Sequence, residues 1–134
     1  MQISNDRRSH YERIGGEAKV RELVQRFYHH MDELPEAHEV RKMHAESLKN
    51  SEDKLFMFLS GWMGGPQLFV EKFGHPKLRQ RHMPFSIGKE ERNQWLMCMD
   101  QALQDVVADE GLRNELRVAF IKVADFMRNQ AEPE

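Results

Sequence analysis

The amino-acid sequence predicts an all-α fold, and three observations lead to this expectation. Apolar residues recur at spacings of three and four along most of the chain, which is the period of an amphipathic helix. Glycine and proline fall in short clusters between these segments, where helices are expected to end. No segment shows the strict alternation typical of a half-buried strand. With 134 residues the chain is expected to form one domain, residues 1–134, with loose ends at residues 1–8 and 129–134.

Two helices are expected in the first half of the chain. The first lies between Gly15-Gly16 and Pro35, and its buried face is Val20, Leu23, Val24, Phe27, Tyr28, Met31 and Leu34. A short polar segment follows it, with Val40 and Met43 as its few apolar residues. The second helix ends at Gly64-Gly65-Pro66, and its apolar stripe is Leu55, Phe58, Leu59 and Trp62.

The second half begins with a long connection and continues with two longer helices. Residues 67–88 contain enough glycine and proline to hold only one short helix, expected around residues 77–82. The next helix carries an apolar face made of Trp95, Met99, Ala102, Leu103 and Val106. The last helix carries Leu112, Leu116, Ala119, Phe120, Val123, Phe126 and Met127.

Composition and motifs exclude several classes of function. The net charge is −2, so there is no bulk electrostatic attraction to nucleic acid or anionic membranes. The single cysteine, Cys98, excludes an intramolecular disulfide, a CxxCH haem attachment and a zinc finger, and it is expected to be a packing thiol. The longest apolar run, "LFMFL", is too short to span a bilayer, and the first residues contain no signal core, so the cytoplasm is the simplest compartment. The nucleophile-elbow, P-loop, HExxH and EF-hand motifs are absent from the sequence.

One of the seven histidines, His82, stands in an unusual context, "LRQRHMPFSIG". Arg79 and Arg81 precede it, Pro84 should end its helix, and the apolar residues beside it are Met83, Phe85 and Ile87. A five-coordinate haem needs such surroundings: one neutral imidazole on the iron, an apolar slot and cations for the propionates. The alternative is a histidine favoured by the dipole at a helix C-terminus, beside solvated arginines, and spacing alone favours this reading.

Two further residues bring hydrogen-bond donors onto buried helix faces. Tyr28 and Trp95 both lie on apolar stripes, and a buried phenol or indole N–H needs a partner. A backbone carbonyl or a water is the usual partner. A bound diatomic ligand, whose polarised oxygen would accept from both donors, is the other possibility.

Four segments, in their order and spacing, resemble one known family, the group II truncated haemoglobins of the two-on-two globin fold. The resemblance covers residues 11–127, and the segments are "YERIGGEAKVRELVQRFY", "FLSGWMGGPQLF", "GHPKLRQRHMPFSIG" and "RNQWLMCMDQAL". It implies a helical sandwich that encloses haem b. The pairs Gly15-Gly16 and Gly64-Gly65 resemble the family's helix-joining motifs.

The resemblance also implies roles for individual residues. His82 matches the proximal iron ligand, Trp95 the tryptophan that donates its indole N–H to the bound ligand, and Tyr28 the distal-side tyrosine. His44 falls at a corner position where the family often has tyrosine, and as an imidazole its donor capacity would vary across physiological pH. Ser51 matches a distal-helix position that is small in many members, which would leave ligand entry without a gating histidine. The remaining expected haem contacts are Leu55, Phe58, Arg81 beside a propionate, and Phe85 under the porphyrin.

Three functions follow as hypotheses. The favoured one is a haem-binding globin that reversibly binds O2, NO and CO, with tight O2 binding that suits chemistry or sensing better than bulk transport. The second is an enzyme for NO dioxygenation or peroxide chemistry, which would need a separate reductase because the sequence has no flavin or nicotinamide motif. The third is a cofactor-free helical interaction module in which Tyr28, Trp95 and His82 are packing residues. A monomer or weak homodimer is expected.

Overall fold

The computed structural model describes residues 8–44, 47–74 and 88–127, with residues 126 and 127 described by their backbone only. These residues form seven α-helices and no strand, which confirms the all-α prediction. The helices are α1 (His10–Ile14), α2 (Glu17–Glu33), α3 (His38–Lys42), α4 (Lys49–Trp62), α5 (Leu68–Phe73), α6 (Lys89–Val106) and α7 (Glu110–Met127), and a 3-10 turn, Pro35–Ala37, lies between α2 and α3. None of these helices is both long and apolar enough to cross a membrane. Apart from Arg8, the expected loose ends lie outside the described residues.

The ends of α2 follow the sequence prediction. Gly15 and Gly16 have φ angles of 118° and 82°, a left-handed region that favours glycine, so the chain can turn sharply from α1 into α2. At the other end, Leu34 is extended because the residue before a proline is disfavoured in the helical region. The predicted buried face of α2 is confirmed for Val20, Leu23, Val24, Phe27, Tyr28 and Met31, while Leu34 is partly buried.

The core lies between two pairs of packed helices. In one pair α2 packs against α4, in the other α6 packs against α7, and α2 and α6 form the most extensive contact between them. Side chains with almost no exposed surface fill this space, among them Leu23, Phe27, Leu59, Met99, Leu116 and Phe120. Burying each such side chain contributes about 1.5–3 kcal/mol. The short helix α1 contacts α2 and α7 at one end of the molecule.

One prediction about local structure was wrong. Residues 67–88 were expected to be a connection with one short helix around residues 77–82, yet α5 forms at Leu68–Phe73, because Phe69 is buried and its ring packs against Phe58 and Phe73. The polar segment after Pro35 contains α3, which is anchored by the buried side chains of Ala37 and Val40. The helix expected around residues 77–82 lies outside the described residues.

The buried face of α4 is displaced from the predicted one. Its most buried apolar residues are Phe56 and Leu59, and the guanidinium of Arg21 on α2 lies 4.0 Å from the centre of the Phe56 ring. Of the predicted stripe only Leu59 is fully buried, and Leu55, Phe58 and Trp62 are partly exposed. The helix therefore has two apolar faces, one packed on α2 and one that the described residues cover incompletely.

Candidate functional site

Tyr28 lies on the inner face of α2 and is only 6% exposed. Burial raises the pKa of its phenol well above the usual value, the negative charge of Glu52 raises it further, and a side-chain hydrogen bond with Ser51 opposes the change. The phenol therefore stays protonated and available as a donor throughout the physiological pH range.

Trp95 approaches the same region from α6. Its ring packs edge-to-face on Phe27, with centroids 5.2 Å apart, and Phe27 packs in the same way on Tyr28 at 4.9 Å. Such edge-to-face pairs are favourable and fix the orientation of the rings. Two of the predicted donors, from two different helices, are thus held on either side of one fully buried phenylalanine.

His44 follows α3 and stands next to Tyr28, with the two rings roughly perpendicular and their centroids 5.8 Å apart. Its Nδ1 lies 2.9 Å from the carbonyl oxygen of Val40. Because a carbonyl only accepts hydrogen bonds, Nδ1 carries a proton, and in the neutral ring Nε2 is then an acceptor. The neutral imidazole cannot donate to a ligand from Nε2, which restricts the role expected for this residue.

Gln94 was not identified from the sequence. Its side-chain oxygen accepts a hydrogen bond of 3.0 Å from the backbone N–H of Val40, in the first turn of α3, where helical N–H groups have no partner within the helix. Val40 thus donates its N–H to Gln94, the residue before Trp95, and accepts a hydrogen bond from His44 at its carbonyl. A polar residue beside an apolar stripe is the only signal in the sequence, and it does not distinguish Gln94 from other polar residues.

The second apolar face of α4 completes the described part of the site. Ser51, Leu55 and Phe58 follow each other at spacings of four and three, so they lie on one side of the helix, and all three are partly buried. Ser51 contacts the phenol of Tyr28 through the hydrogen bond noted above. Phe58 packs perpendicular to Phe69 of α5, at 6.3 Å between centroids.

The residues expected on the proximal side of the haem all belong to one segment of the sequence, residues 79–87. His82, Arg81 and Phe85, together with Arg79, Met83 and Ile87, lie outside the described residues.

The described residues fit a haem cofactor. Leu55 and Phe58 supply an incompletely covered apolar surface of the kind that a flat macrocycle needs. Tyr28 adds a neutral donor next to Ser51 of the same helix face, and the ring of Trp95 lies across Phe27 from it. Tyr28 is the more deeply buried of the two tyrosines, and it has two polar neighbours, Ser51 and His44. A small, weakly anionic ligand is the chemistry that such donors stabilise.

Comparison with known proteins identifies the family. The model of the bacterial-like globin family matches residues 9–129. A group 2 truncated haemoglobin of Bacillus subtilis, YjbI, is 36% identical over 124 residues, which cover 92% of this chain and 91% of that protein. The chain belongs to the group II truncated haemoglobins. Membership implies a haem-binding globin.

Solved structures agree with this assignment. A cold-adapted truncated haemoglobin from the Antarctic bacterium Pseudoalteromonas haloplanktis is 43% identical, with a TM-score of 0.90 over 92% of this globin and 100% of that chain. A group II two-on-two haemoglobin from Agrobacterium tumefaciens is 42% identical, with a TM-score of 0.90 over 96% of this globin and 100% of that chain. The predicted two-on-two globin fold is confirmed.

Proposed function

We propose that this globin reversibly binds O2 and the related diatomic ligands NO and CO, with haem b as its cofactor. His82 would hold the haem iron, Arg81 would pair with a propionate, and Phe85 would lie against the porphyrin. Haem supplies, when bound, a metal centre to which a diatomic molecule coordinates. The residues of α2 and α6 decide how firmly that molecule is held.

One observation carries the proposal: Tyr28 and Trp95 flank Phe27 edge-on, at 4.9 Å and 5.2 Å between ring centroids. Two donors on separate helices are held in fixed orientations by a ring that has no exposed surface. Apolar rings alone would pack the two helices, so a phenol and an indole at one place favour a pocket that holds a hydrogen-bond acceptor.

The phenol O–H of Tyr28 is the main hydrogen-bond donor that holds the bound ligand. Its raised pKa keeps the phenol protonated, so it is available as a hydrogen-bond donor. His44 holds its Nδ1 proton on the Val40 carbonyl, so in its neutral form it acts beside Tyr28 as an acceptor. Direct donation to the ligand therefore comes from Tyr28 and Trp95.

The size of the effect follows from the number of donors. A hydrogen bond of this kind contributes about 1–1.5 kcal/mol. Two of them slow ligand release by about one to two orders of magnitude, since 1.4 kcal/mol is a factor of about ten.

The test is O2 release from the haem-loaded protein, followed by stopped-flow absorbance, in wild type, Tyr28→Phe, Trp95→Phe and the double variant. Each single change is expected to speed release by about five- to tenfold, and the double variant by the product of the two. CO release is expected to change less, because CO is the less polarised ligand and gains less from donors.

Tyr11→Phe is the matched control, since it removes the only other phenol and leaves its ring in place. Its release rates are expected to equal those of the wild type. If O2 release were the same in the double variant as in wild type, the two donors would have no part in ligand binding. If His82→Ala took up haem with an unaltered Soret band, the assignment of the iron ligand would be wrong.

A further inference from the structure

The aromatic rings of the core form one continuous series. Tyr28 contacts Phe27 at 4.9 Å between centroids, Phe27 contacts Trp95 at 5.2 Å, Trp95 contacts Phe120 at 5.9 Å, and Phe120 contacts Trp62 at 4.7 Å. The series crosses the molecule from α2 through α6 and α7 to the last turn of α4. It is called the aromatic chain below, and its members in order are Tyr28, Phe27, Trp95, Phe120 and Trp62.

In the aromatic chain, tyrosine and tryptophan side chains, which can lose an electron, alternate with phenylalanine side chains, which cannot. Phenol and indole are readily oxidised by one electron, and the benzyl ring of phenylalanine is not. The two phenylalanines are fully buried, with 0% and 1% exposure, so they join their neighbours without intervening water. Electron transfer between redox-active groups becomes steeply slower with distance, and a ring in van der Waals contact with both neighbours shortens each gap.

We propose that the aromatic chain carries one-electron oxidising equivalents away from the haem pocket to Trp62 when the globin meets a peroxide. This proposal rests on the haem-binding function proposed above. It adds a further activity, the export of oxidising equivalents through the protein to a partly exposed indole.

The electrons balance as follows. Hydrogen peroxide takes up two electrons and two protons and forms two molecules of water. One of these electrons comes from the haem and the other from Trp62, which also releases its indole proton to solvent and becomes a neutral radical. Ascorbate, as the reductant, returns an electron and a proton to Trp62 and its second electron to the haem, so that both waters form and the protein is restored. Without a reductant, the radical adds dissolved O2, and the peroxyl radical formed takes a hydrogen atom from a neighbouring C–H or S–H bond, which leaves a hydroperoxide on the tryptophan.

The two ends of the chain differ in how they can lose a proton. Oxidation of a phenol is coupled to loss of its proton, and Tyr28 is buried, with a pKa that burial has raised. Trp62, at the far end of the aromatic chain, is partly exposed, so solvent reaches this residue more readily than it reaches Tyr28. The oxidising equivalent is therefore stabilised at the Trp62 end, away from the ligand donors.

The experiment treats the haem-loaded protein with one equivalent of hydrogen peroxide, with and without ascorbate. Freeze-quench electron paramagnetic resonance records the radical, and peptide mass spectrometry locates oxygenated tryptophan. In wild type we expect a tryptophan radical and oxygenation mainly at Trp62, and ascorbate is expected to suppress both. In Trp62→Phe, oxidation is expected to move to Trp95, and the Soret band to bleach several-fold faster.

Phe120→Leu and Phe56→Leu form the matched pair of variants. Both replace a buried phenylalanine in the core, but only Phe120 belongs to the aromatic chain, and both retain Trp62. Oxygenation at Trp62 is expected to fall several-fold in Phe120→Leu and to stay at the wild-type level in Phe56→Leu. Circular dichroism and the Soret band establish that each variant is folded and loaded with haem.

Each contrary outcome has a separate meaning. A normal Soret band with no oxidation at Trp62 would overturn the export of oxidising equivalents and leave ligand binding intact. Equal oxygenation in Phe120→Leu and wild type would overturn it as well, because peroxide would then attack Trp62 from solvent. Failure of the wild-type protein to take up haem would overturn the proposed function, and with it the proposal that rests on it.

Discussion

The ring of Tyr11 lies directly against Gly65. A Cβ atom placed on Gly65 would stand 2.5 Å from Cδ2 of that ring, a separation that two carbon atoms do not tolerate. The backbone N–H of Tyr11 donates a 2.9 Å hydrogen bond to the carbonyl of Met63, and Ser9 covers Gly64 in a similar way. The start of α1 therefore packs directly on the glycine pair Gly64-Gly65 that follows Met63 at the end of α4.

Gly65→Ala is expected to destabilise the fold by about 1–3 kcal/mol, the usual cost of forcing extra volume into a packed contact. The ring of Tyr11 would have to move, and the hydrogen bond to Met63 would be strained with it. Urea denaturation followed by circular dichroism measures the change in the free energy of unfolding.

Tyr11→Ala provides the control for that prediction. In this background the methyl group at residue 65 meets no ring, so Gly65→Ala is expected to cost at most a few tenths of a kcal/mol. If the cost were equal in both backgrounds, crowding by Tyr11 would not be its cause.

Gln94→Ala is expected to loosen α3 and with it His44. The change leaves the N–H of Val40 without its partner, which costs about 1 kcal/mol, and Val40 is the residue whose carbonyl holds the His44 ring. Hydrogen exchange at the Val40 amide is expected to speed up about tenfold or more. Gln101→Ala, on the exposed side of the same helix, is the control, and similar exchange in the two variants would contradict the capping role of Gln94.

The sequence was sufficient for the helices that bury one continuous apolar stripe. In α2 the spacing from Val20 to Met31 identified the buried face, since this helix packs on α4 and α6 with one continuous stripe. It was insufficient for α4, where Phe56 faces α2 while Leu55 and Phe58 lie on another face, because periodicity does not tell which of two apolar faces is covered.

The candidate site, too, was predicted from the sequence only in part. Tyr28, Trp95 and His44 were identified from the sequence through their family resemblance, and the structure brings Tyr28 close to both of the others, directly or through Phe27. Gln94 was missed because its bond joins residues 54 positions apart, and no local pattern encodes such a contact. The tautomer of His44 also depends on a backbone carbonyl that only the folded chain places beside it.

Alkaline titration is expected to separate Tyr28 from an ordinary phenol. Burial raises its folded-state pKa above the unfolded value of 10.0, so the neutral form stabilises the fold. That contribution is fully present below about pH 10 and is lost as the pH rises further. The absorbance of phenolate near 295 nm at pH 11 is expected to be nearly equal in wild type and Tyr28→Phe while both are folded, and to differ by one full tyrosine in denaturant. A full-tyrosine difference in the folded state would contradict the burial of the phenol.

The ion pair between Arg13 and Glu115 is expected to make stability depend on acid pH. The guanidinium of Arg13 on α1 donates two hydrogen bonds, of 2.9 and 2.8 Å, to the carboxylate of Glu115 on α7. The hydrogen bond from Arg13 lowers the pKa of Glu115, burial partly opposes it, and His10 adds to the lowering. Because the folded-state pKa lies below the unfolded value of 4.5, the pair stabilises the protein above about pH 4.5, and this contribution is lost as the pH falls through the folded-state pKa.

Glu115→Gln removes the charge and keeps the shape of the side chain, so it isolates this contribution. At pH 7 the variant is expected to be less stable by about 0.5–1 kcal/mol, since the carboxylate is partly exposed and screened by solvent. The difference should shrink as the pH falls from 5 to 3, because wild-type Glu115 becomes neutral as well. Glu33→Gln, at the exposed end of α2, controls for the general effect of losing one negative charge. Thermal denaturation of the three proteins across this pH range measures the differences, and a gap between wild type and Glu115→Gln that stayed constant down to pH 3 would show that the carboxylate's charge does not hold α1 to α7.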